Sequence, residues 1–146
     1  MFTIHRVSTL PPDFDGLAAA ASAEGFNFLR RMQREWQEGV NRFDKQGEAV
    51  FVALVNKTLV GICGLNVDPY QADPLIGRVR HLYVAAAYRK QGIGAALMQA
   101  VIDTARTRFT VLRLLTPTAE ATTFYDHLGF TRVKGEEHVS HFLPLN

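Results

Sequence analysis

The sequence contains a single cysteine, Cys63, among 146 residues. One cysteine cannot form an internal disulfide, which excludes a disulfide-stapled secreted domain and agrees with a reducing cytosol. Cys63 lies within an apolar run, and this setting favours a small core residue over a nucleophile. We therefore expect no covalent acyl carrier in this chain.

Long apolar runs are absent as well. The longest, such as residues 49–55, hold fewer than ten residues, which is too short to cross a membrane. The N-terminal segment 1–6 lacks the basic region and long apolar stretch of a signal peptide. The sequence therefore predicts a cytoplasmic protein with no membrane partner.

Neither sign of charge is in clear surplus. Sixteen lysines and arginines against fourteen acidic residues give a net charge of +2, which is too small to indicate a nucleic-acid partner. Arg30, Arg31 and Arg34 form a local basic cluster that a solvated helix face explains. A nucleic-acid-binding module using these three arginines is an alternative that no recognised motif supports. With 47% hydrophobic and 21% charged residues, the chain has the composition and length of one globular domain spanning 1–146.

The periodicity of apolar residues predicts a mixture of strands and helices. Strands are predicted at 2–7, 49–55, 59–67, 78–84, 111–115, 130–133 and 139–143, and helices at 17–23, 27–38, 92–108 and 119–128. Alternation along the fourth strand places Arg78, Arg80 and Leu82 on one face and Val79, His81 and Tyr83 on the other. The order of elements predicts an α+β fold with helices on both faces of a central sheet.

The most informative segment connects the fourth strand to the third helix and reads Arg89-Lys90-Gln91-Gly92-Ile93-Gly94-Ala95. Amides in the first turn of a helix have no intrahelical acceptor, and the helix dipole adds partial positive charge there. Gly92 and Gly94 remove the side chains that would keep a phosphate away, and Arg89 and Lys90 add full positive charges. The segment therefore predicts a diphosphate site, with a tight turn bearing solvated basic residues as the alternative.

Two other phosphate-binding loops do not fit this segment. A Walker A loop requires a lysine followed by serine or threonine, and no such pair follows Gly94. A dinucleotide-binding fingerprint requires a third glycine or alanine where Leu97 stands, and the preceding Arg-Lys pair is foreign to it. These exclusions argue against a nucleoside triphosphate and against NAD.

Two motifs resemble those of the GNAT N-acetyltransferases. Arg89-x-x-Gly92-x-Gly94 is similar to the Arg/Gln-x-x-Gly-x-Gly/Ala acetyl-CoA loop of that family. Thr118-x-x-Ala121-x-x-Phe124-Tyr125-x-x-x-Gly129-Phe130 is similar to the family's Asn-x-x-Ala-x-x-hydrophobic-Tyr-x-x-x-Gly-Phe signature, with Thr118 where asparagine is common. The resemblance covers essentially the whole chain, although residues 1–48 match in pattern more than in motif.

The resemblance implies an αβα sandwich with a GNAT-like, mixed and mostly antiparallel sheet of six to seven strands, about four helices, and splayed strands 4 and 5. It also implies acetyl-CoA as co-substrate and no metal. Backbone groups of Leu82-Tyr83-Val84 would bind the pantetheine arm, and the Leu82 amide would polarise the thioester carbonyl. Thr118 and Phe124 would flank the arm. The amides of Gln91, Gly92, Ile93, Gly94 and Ala95 would hold the pyrophosphate, with help from Arg89 and Lys90.

The resemblance also assigns catalytic roles. Tyr125 would protonate the departing thiolate as a general acid, with a packing role on the last helix as the alternative. Several family members carry a carboxylate or histidine as general base on the fourth strand, where this chain has Arg78 and Arg80, which cannot accept a proton. His81 is expected on the opposite face as a packed or surface residue. No motif supports Glu24, Asp68 or Glu120 as the base, so a water relay or prior deprotonation of the amine is the default.

The acceptor pocket is predicted around Phe26, Phe28, Arg78 and Arg80. Two guanidinium groups would favour an acceptor with a carboxylate or phosphate beside its amine. The other interpretation is that these arginines pair with Asp68 or Asp73 in the neighbouring loop, and both interpretations stay open. Phe28 and Trp36, at helical spacing, also fit a plain core role.

Together these features predict an N-acetyltransferase that transfers acetyl from acetyl-CoA to a primary amine of a small molecule or peptide by direct attack in a ternary complex. The alternative is a non-catalytic acyl-CoA-binding or sensing domain, which would keep residues 89–94 but would not need Tyr125. An exposed strand edge would also allow a homodimer, which no feature of the sequence specifies.

Overall fold

The structure, a computed structural model, describes residues 1–146. The strands are β1 Thr3–Val7, β2 Ala49–Val55, β3 Thr58–Val67, β4 Ile76–Val84, β5 Val111–Leu114, β6 Thr131–Arg132 and β7 His141–Pro144. The helices are α1 Phe14–Ala23, α2 Phe28–Glu38, α3 Ile93–Ala105 and α4 Ala119–His127, with a short 3₁₀ turn at Ala86–Tyr88. The predicted order of strands and helices is confirmed, while α3 and β6 are shorter than predicted and β7 lies slightly later in the chain. No helix is both long enough and apolar enough to span a membrane.

All seven strands form one sheet in the order β1-β2-β3-β4-β5-β7-β6. Every neighbouring pair is antiparallel except β4 and β5, which run parallel. This confirms the mixed, mostly antiparallel sheet. The β2–β3 connection is a two-residue turn with positive φ at both Asn56 (49°) and Lys57 (69°), the conformation that matches the twist of the two strands.

The sheet opens in its centre. β4 and β5 pair only where Ile76–Arg78 lies beside Val111–Arg113, so the rest of β4 has no neighbour on that side. The predicted splay of strands 4 and 5 is therefore present. It leaves one edge of β4 uncovered inside the sheet, next to the first turn of α3.

The two faces of the sheet carry separate apolar clusters. α3 packs on one face with buried residues at four-residue spacing, Ile93, Leu97, Val101 and Ala105, and this cluster also contains Tyr125 of α4. α1 and α2 cover the other face, where Phe14, Leu29 and Met32 are almost fully buried. Phe28 and Trp36 are only partly buried against that second cluster. Helices thus lie on both faces, as predicted.

Cys63 lies fully buried in the cluster beneath α3. Burial raises the pKa of its thiol to about 12, so the thiol stays protonated near neutral pH. The structure agrees with the predicted core role of this cysteine.

The predicted alternation of β4 is wrong beyond Arg80. Arg80 pairs with Gly64 and Tyr83 pairs with Ile62, so two residues, His81 and Leu82, oppose the single residue Cys63 in β3. This is a β-bulge, and it turns His81 to a φ of 61°. His81 and Tyr83 consequently lie on the same face as Arg80, whereas Leu82 packs on the α3 side together with Val79. The sequence pattern could not show the bulge because residues 80–83 contain no glycine that would mark one.

Gly64 is required by the close packing of the second cluster. A Cβ atom at this position would lie 2.6 Å from a ring carbon of Phe43, which is 6% exposed and cannot move into solvent. We expect Gly64→Ala to lower the free energy of unfolding by about 1–3 kcal/mol, measured by urea denaturation. Gly16→Ala in α1 is the matched control, since its Cβ would meet nothing within 4 Å. That control should raise stability by about 0.5–1 kcal/mol through helix propensity, and equal effects of the two substitutions would contradict the packing argument.

Candidate active site

A cavity of about 890 Å³ lies where β4 and β5 separate. We call it the cleft. It is bounded by β4, by the first turn of α3, by α4, by the loop between α1 and α2, and by the first turn of α2. All residues predicted for the site line the cleft except Gln91: Phe26, Phe28, Arg78, Arg80, Leu82, Tyr83, Val84, Arg89, Lys90, Gly92, Ile93, Gly94, Ala95, Thr118, Phe124 and Tyr125.

The first turn of α3 presents free backbone donors to the cleft. The first backbone bond of this helix runs from the Ala96 amide to the Gly92 carbonyl (3.0 Å), and the amides of residues 91–95 have no acceptor in the protein. Gly92 holds a φ of 86°, a left-handed conformation that glycine adopts without strain. A row of unpaired amides at the positive end of a helix dipole can bind an anion such as a diphosphate.

Arg89 makes different contacts from those expected of a phosphate ligand. Its guanidinium binds both carboxylate oxygens of Glu24 (2.6 and 2.9 Å), and its Nε donates to the carbonyl of Val84 (2.9 Å). Tyr83 also donates its hydroxyl to Glu24. These hydrogen bonds from Arg89 and Tyr83 lower the pKa of the Glu24 carboxyl. Arg89 thus ties the end of α1 to the end of β4, and Lys90 is left as the exposed cation that makes no salt bridge at this mouth.

The wall opposite β4 is formed by the start of α4. Thr118 caps this helix by accepting a hydrogen bond from the Ala121 amide (3.2 Å), which fits the preference for threonine at an N-cap. The Phe124 ring lies 3.5 Å from the position where a Cβ of Gly94 would be, and Val84 lies 3.9 Å from the same point. Gly94 therefore lies next to both Phe124 and Val84, and a side chain longer than a methyl group at residue 94 would extend toward the gap between them.

Tyr125 lies at the inner end of the cleft. Its ring is packed edge-to-face between Phe124 (centroids 5.1 Å apart) and Phe130 (5.5 Å), and the side chain is 6% exposed. Its hydroxyl makes no hydrogen bond within the protein. Burial raises the pKa of the phenol well above its ordinary value. The group is therefore fully protonated near neutral pH and has a free proton to donate.

Phe26, Phe28, Tyr83 and His81 form an aromatic wall at the other end of the cleft. The His81 ring stacks on Phe28 (centroids 6.1 Å apart, planes 8° apart) and meets Phe43 edge-on. Its Nε2 is buried without a hydrogen-bond partner. Burial, and after it the charges of Arg80 and Arg31, lower the pKa of His81 to about 3. A histidine with such a pKa stays neutral and is a very weak base at neutral pH.

The low pKa of His81 has a consequence for stability. In the unfolded chain a histidine titrates near pH 6.5, so between about pH 3 and 6.5 the unfolded state binds the proton that the folded state rejects. The free energy of unfolding therefore falls as the pH drops through this window, by up to about 1.4 kcal/mol per pH unit from His81 alone. We expect His81→Asn to lower that slope, measured by urea denaturation at several pH values. Asparagine does not titrate and tolerates a positive φ.

His127→Asn provides the control for this measurement, because His127 is exposed at the end of α4. Its replacement should leave the slope of stability against pH as it is in the wild-type protein. If His81→Asn also leaves the slope unchanged, the folded-state pKa of His81 is close to that of the unfolded chain and the desolvation argument fails.

The two arginines of β4 have different surroundings. Arg78 is buried and pairs with Asp68 (3.5 Å), its guanidinium lies over the Tyr70 ring (4.8 Å), and Arg113 pairs with the same carboxylate (3.6 Å). Arg80 has no carboxylate within 4.0 Å, and its only side-chain partner is the amide oxygen of Asn66 (3.4 Å). The predicted pairing with Asp68 therefore holds for Arg78 alone. Asp73 pairs with neither arginine and accepts from the Leu75 amide instead.

Several residues of the site were outside the sequence predictions. The sequence does not predict that Glu24 is the ion-pair partner of Arg89, as it is in the structure. Arg31 and Tyr70 also line the cleft. Glu24 and Arg89 are 65 positions apart, so no local pattern could reveal the pair. The only available signal was the lone acidic residue just before Gly25 at the break between two predicted helices. Arg30 of the basic cluster binds Asp15 and Gln33 on the outer surface, as expected of a solvated helix face.

Comparison with known proteins identifies related chains. A family model described as an acetyltransferase (GNAT) domain matches residues 46–132. A protein of Exiguobacterium sp. 255-15 assigned as an acetyltransferase has 37% sequence identity, with a TM-score of 0.83, over 99% of this chain and 93% of that one. At 18% identity, Ard1 from Thermoplasma volcanium shares the fold, with a TM-score of 0.72 over 99% of this chain and 98% of its own.

The chain is also similar to a curated acetyltransferase. N-alpha-acetyltransferase 30 of Schizosaccharomyces pombe (strain 972 / ATCC 24843) is 34% identical over 90 residues. The match covers 60% of this chain, and the chain spans 60% of the length of that relative. The matched family segment, 46–132, includes the amides of residues 91–95, the gap beside Gly94 and Tyr125.

Proposed function

The chain belongs to the GNAT acetyltransferase family, and from this we propose that it is an acetyl-CoA-dependent N-acetyltransferase acting on a primary amine of a small molecule or peptide. The observation that carries the proposal is the continuity of the cleft. Free amides at residues 92–95, the uncovered edge of β4 and the unpaired hydroxyl of Tyr125 all border one cavity. A non-catalytic acyl-CoA sensor would need the first two features but not the third.

The donor site would be formed by α3 and β4. The amides of residues 91–95 would bind the pyrophosphate, and Lys90 would add positive charge at the mouth of the cleft. Arg89 would also bind the pyrophosphate if its guanidinium left Glu24. The uncovered edge of β4 would pair with the amide groups of the pantetheine arm, as a strand adds to the edge of a sheet. Phe124 would cover the arm from the α4 side.

Acetyl-CoA supplies an acetyl group that is activated as a thioester. Leu82 lies in the bulge of β4 and is not paired with any residue of β3. Its amide would donate a hydrogen bond to the thioester carbonyl oxygen as negative charge develops there. Tyr125 would then donate its phenolic proton to the departing sulfur. Direct attack by the amine fits a site in which the only cysteine is buried and protonated.

The amine must lose its proton before it attacks. His81 is a poor base because its pKa is about 3, and Arg78 and Arg80 cannot accept a proton. The nearby guanidinium groups would lower the pKa of an ammonium group in the cleft, since a like charge disfavours the charged form. We therefore propose that the amine binds in its neutral form or loses its proton to water.

The activity is tested by mixing the protein with acetyl-CoA and a panel of primary amines and measuring release of free thiol. The panel should contain peptides with free N-termini, because one relative is an N-alpha-acetyltransferase, as well as amino acids and simple alkylamines. Thiol release that depends on the amine supports the enzyme. Binding of acetyl-CoA without turnover of any amine would favour the sensing domain.

A further inference from the structure

Arg80 is a cation held in place without a counter-ion. The side chain is partly buried on β4 and lines the cleft, yet its one polar partner is the uncharged amide of Asn66. Asn66 is itself fixed, because its Nδ2 donates to Glu48 (2.9 Å) and its Oδ1 accepts from Asn41 (2.9 Å). The network therefore orients Arg80 but does not neutralise it.

Arg31 adds a second unpaired cation from the opposite side. It projects from α2 into the same cleft and makes no salt bridge. Burial, and after it the charges of Arg78 and Arg31, lower the pKa of Arg80, and Glu35 opposes this only as a smaller influence. The folded protein thus keeps like charges close together, an unfavourable arrangement that a bound anion would relieve.

The remaining charges of the cleft do not supply that anion. Glu120 is the one carboxylate that lines it, and Asp68 is taken by Arg78 and Arg113. A simple alkylamine or polyamine, which is cationic before reaction, would be repelled at this end of the cleft. An amine that also carries a carboxylate would be attracted, because guanidinium and carboxylate groups form paired, charge-assisted hydrogen bonds.

We propose that the acceptor carries an anionic group, a carboxylate, close to its reactive amine, and that Arg80 binds this group with support from Arg31. The proposal rests on the proposed acetyltransferase function and specifies its substrate class. The carboxylate can belong to a free amino acid or to an acidic residue near the N-terminus of a peptide. Arg78 has no direct part in this recognition because its guanidinium is already paired.

The test compares acceptors that differ only in the anionic group. Phenylalanine is paired with phenethylamine, and an Asp-Ala peptide amide is paired with the corresponding Asn-Ala peptide amide. For at least one pair, wild-type kcat/KM should be about 10- to 100-fold higher for the acceptor with the carboxylate, the range expected for hydrogen bonds to a charged group. Which pair shows the preference distinguishes the free amino acid from the acidic peptide.

Substitution then assigns the preference to particular residues. Arg80→Gln should abolish the preference and leave the KM for acetyl-CoA unchanged. Arg31→Gln, on the exposed surface of α2 and without a risk to folding, should reduce it about 3- to 10-fold. Arg34→Gln is the matched control, because Arg34 lies on the same helix outside the cleft. A preference that survives in Arg80→Gln and in Arg31→Gln, or a wild-type enzyme that prefers the neutral acceptors, overturns the proposal.

A binding measurement separates this proposal from the proposed function. Calorimetry with N-acetylphenylalanine and with N-acetylphenethylamine reports recognition of the carboxylate without any turnover. If no amine is acetylated but the carboxylate compound binds more tightly and loses this advantage in Arg80→Gln, the anion site stands and the acetyltransferase activity does not. If amines are acetylated and neither kinetics nor calorimetry favours a carboxylate, the activity stands and the anion site is rejected.

Discussion

Replacement of Tyr125 with phenylalanine is expected to lower kcat about 10²-fold, because the substitution removes the proposed proton donor for the leaving sulfur. The ring packs between Phe124 and Phe130 and the hydroxyl makes no hydrogen bond within the protein. The loss of one oxygen atom therefore leaves the core intact. The effect should appear in steady-state thiol release at saturating acetyl-CoA, while the Kd for acetyl-CoA, measured by calorimetry, stays within about threefold of wild type.

The same substitution distinguishes catalysis from packing. If Tyr125 served only to fill the core, Tyr125→Phe would keep wild-type kcat, since phenylalanine preserves the ring contacts. Tyr88→Phe is the control, because it removes a hydroxyl from a tyrosine that borders the same cleft and has no proposed role in proton transfer. It should change kcat less than about threefold. A large effect of Tyr125→Phe accompanied by a matching loss in the free energy of unfolding would contradict the catalytic role.

Gly94→Leu is expected to weaken acetyl-CoA binding by at least about 10²-fold without unfolding the protein. A side chain at residue 94 projects toward Phe124 and Val84, which are 3.5 and 3.9 Å from the position of its Cβ. The additional carbon atoms of leucine would therefore occupy the gap proposed for the pantetheine arm. Residue 94 lies in the first turn of α3, where leucine is a good helix former, so stability should be largely retained.

Gly94→Ala tests whether a larger side chain weakens binding by filling the gap or whether any replacement of the glycine does so. Its single methyl group makes ordinary contacts with the two neighbours, so calorimetry should show less than about a tenfold loss of affinity. If both substitutions weaken binding equally, the glycine matters for its backbone and not for the gap. If Gly94→Leu binds acetyl-CoA like the wild-type protein, the arm does not pass between Val84 and Phe124.

The sequence predicted the fold where the signal was local and strongly periodic. α3 buries a residue in every turn, and the stretch from Ala49 to Val67 is a mostly apolar hairpin with its turn at Asn56 and Lys57. Each of these apolar patterns fits only one kind of secondary structure, a helix for the first and a pair of strands for the second. The bulge at His81 was missed because its cause is tertiary. At the bulge the His81 ring packs against Phe28 and Phe43, residues far away in the sequence.

The site shows the same division. The loop at residues 89–95 and the segment around Tyr125 are contiguous motifs, so the resemblance to the GNAT family is enough to pick out their residues. The proposed acceptor end is assembled from α2, β4 and the loop that contains Asp68, and its net charge depends on which side chains form ion pairs. From the sequence, Arg78 and Arg80 were equivalent. The structure separates them because Asp68 reaches only Arg78.

An ordinary open sheet has two edges, whereas this one has a third in its middle, along β4 beyond Arg78. Exposed edges invite pairing with other polypeptide chains, and proteins usually have to guard against this. Here the edge is enclosed, because β4, the first turn of α3 and α4 all border the cleft into which it faces. We expect a slender chain with amide groups to reach this edge more easily than a strand of a neighbouring protein, whose side chains project on both faces. The same recess would then admit the proposed ligand and protect the sheet from edge-to-edge aggregation.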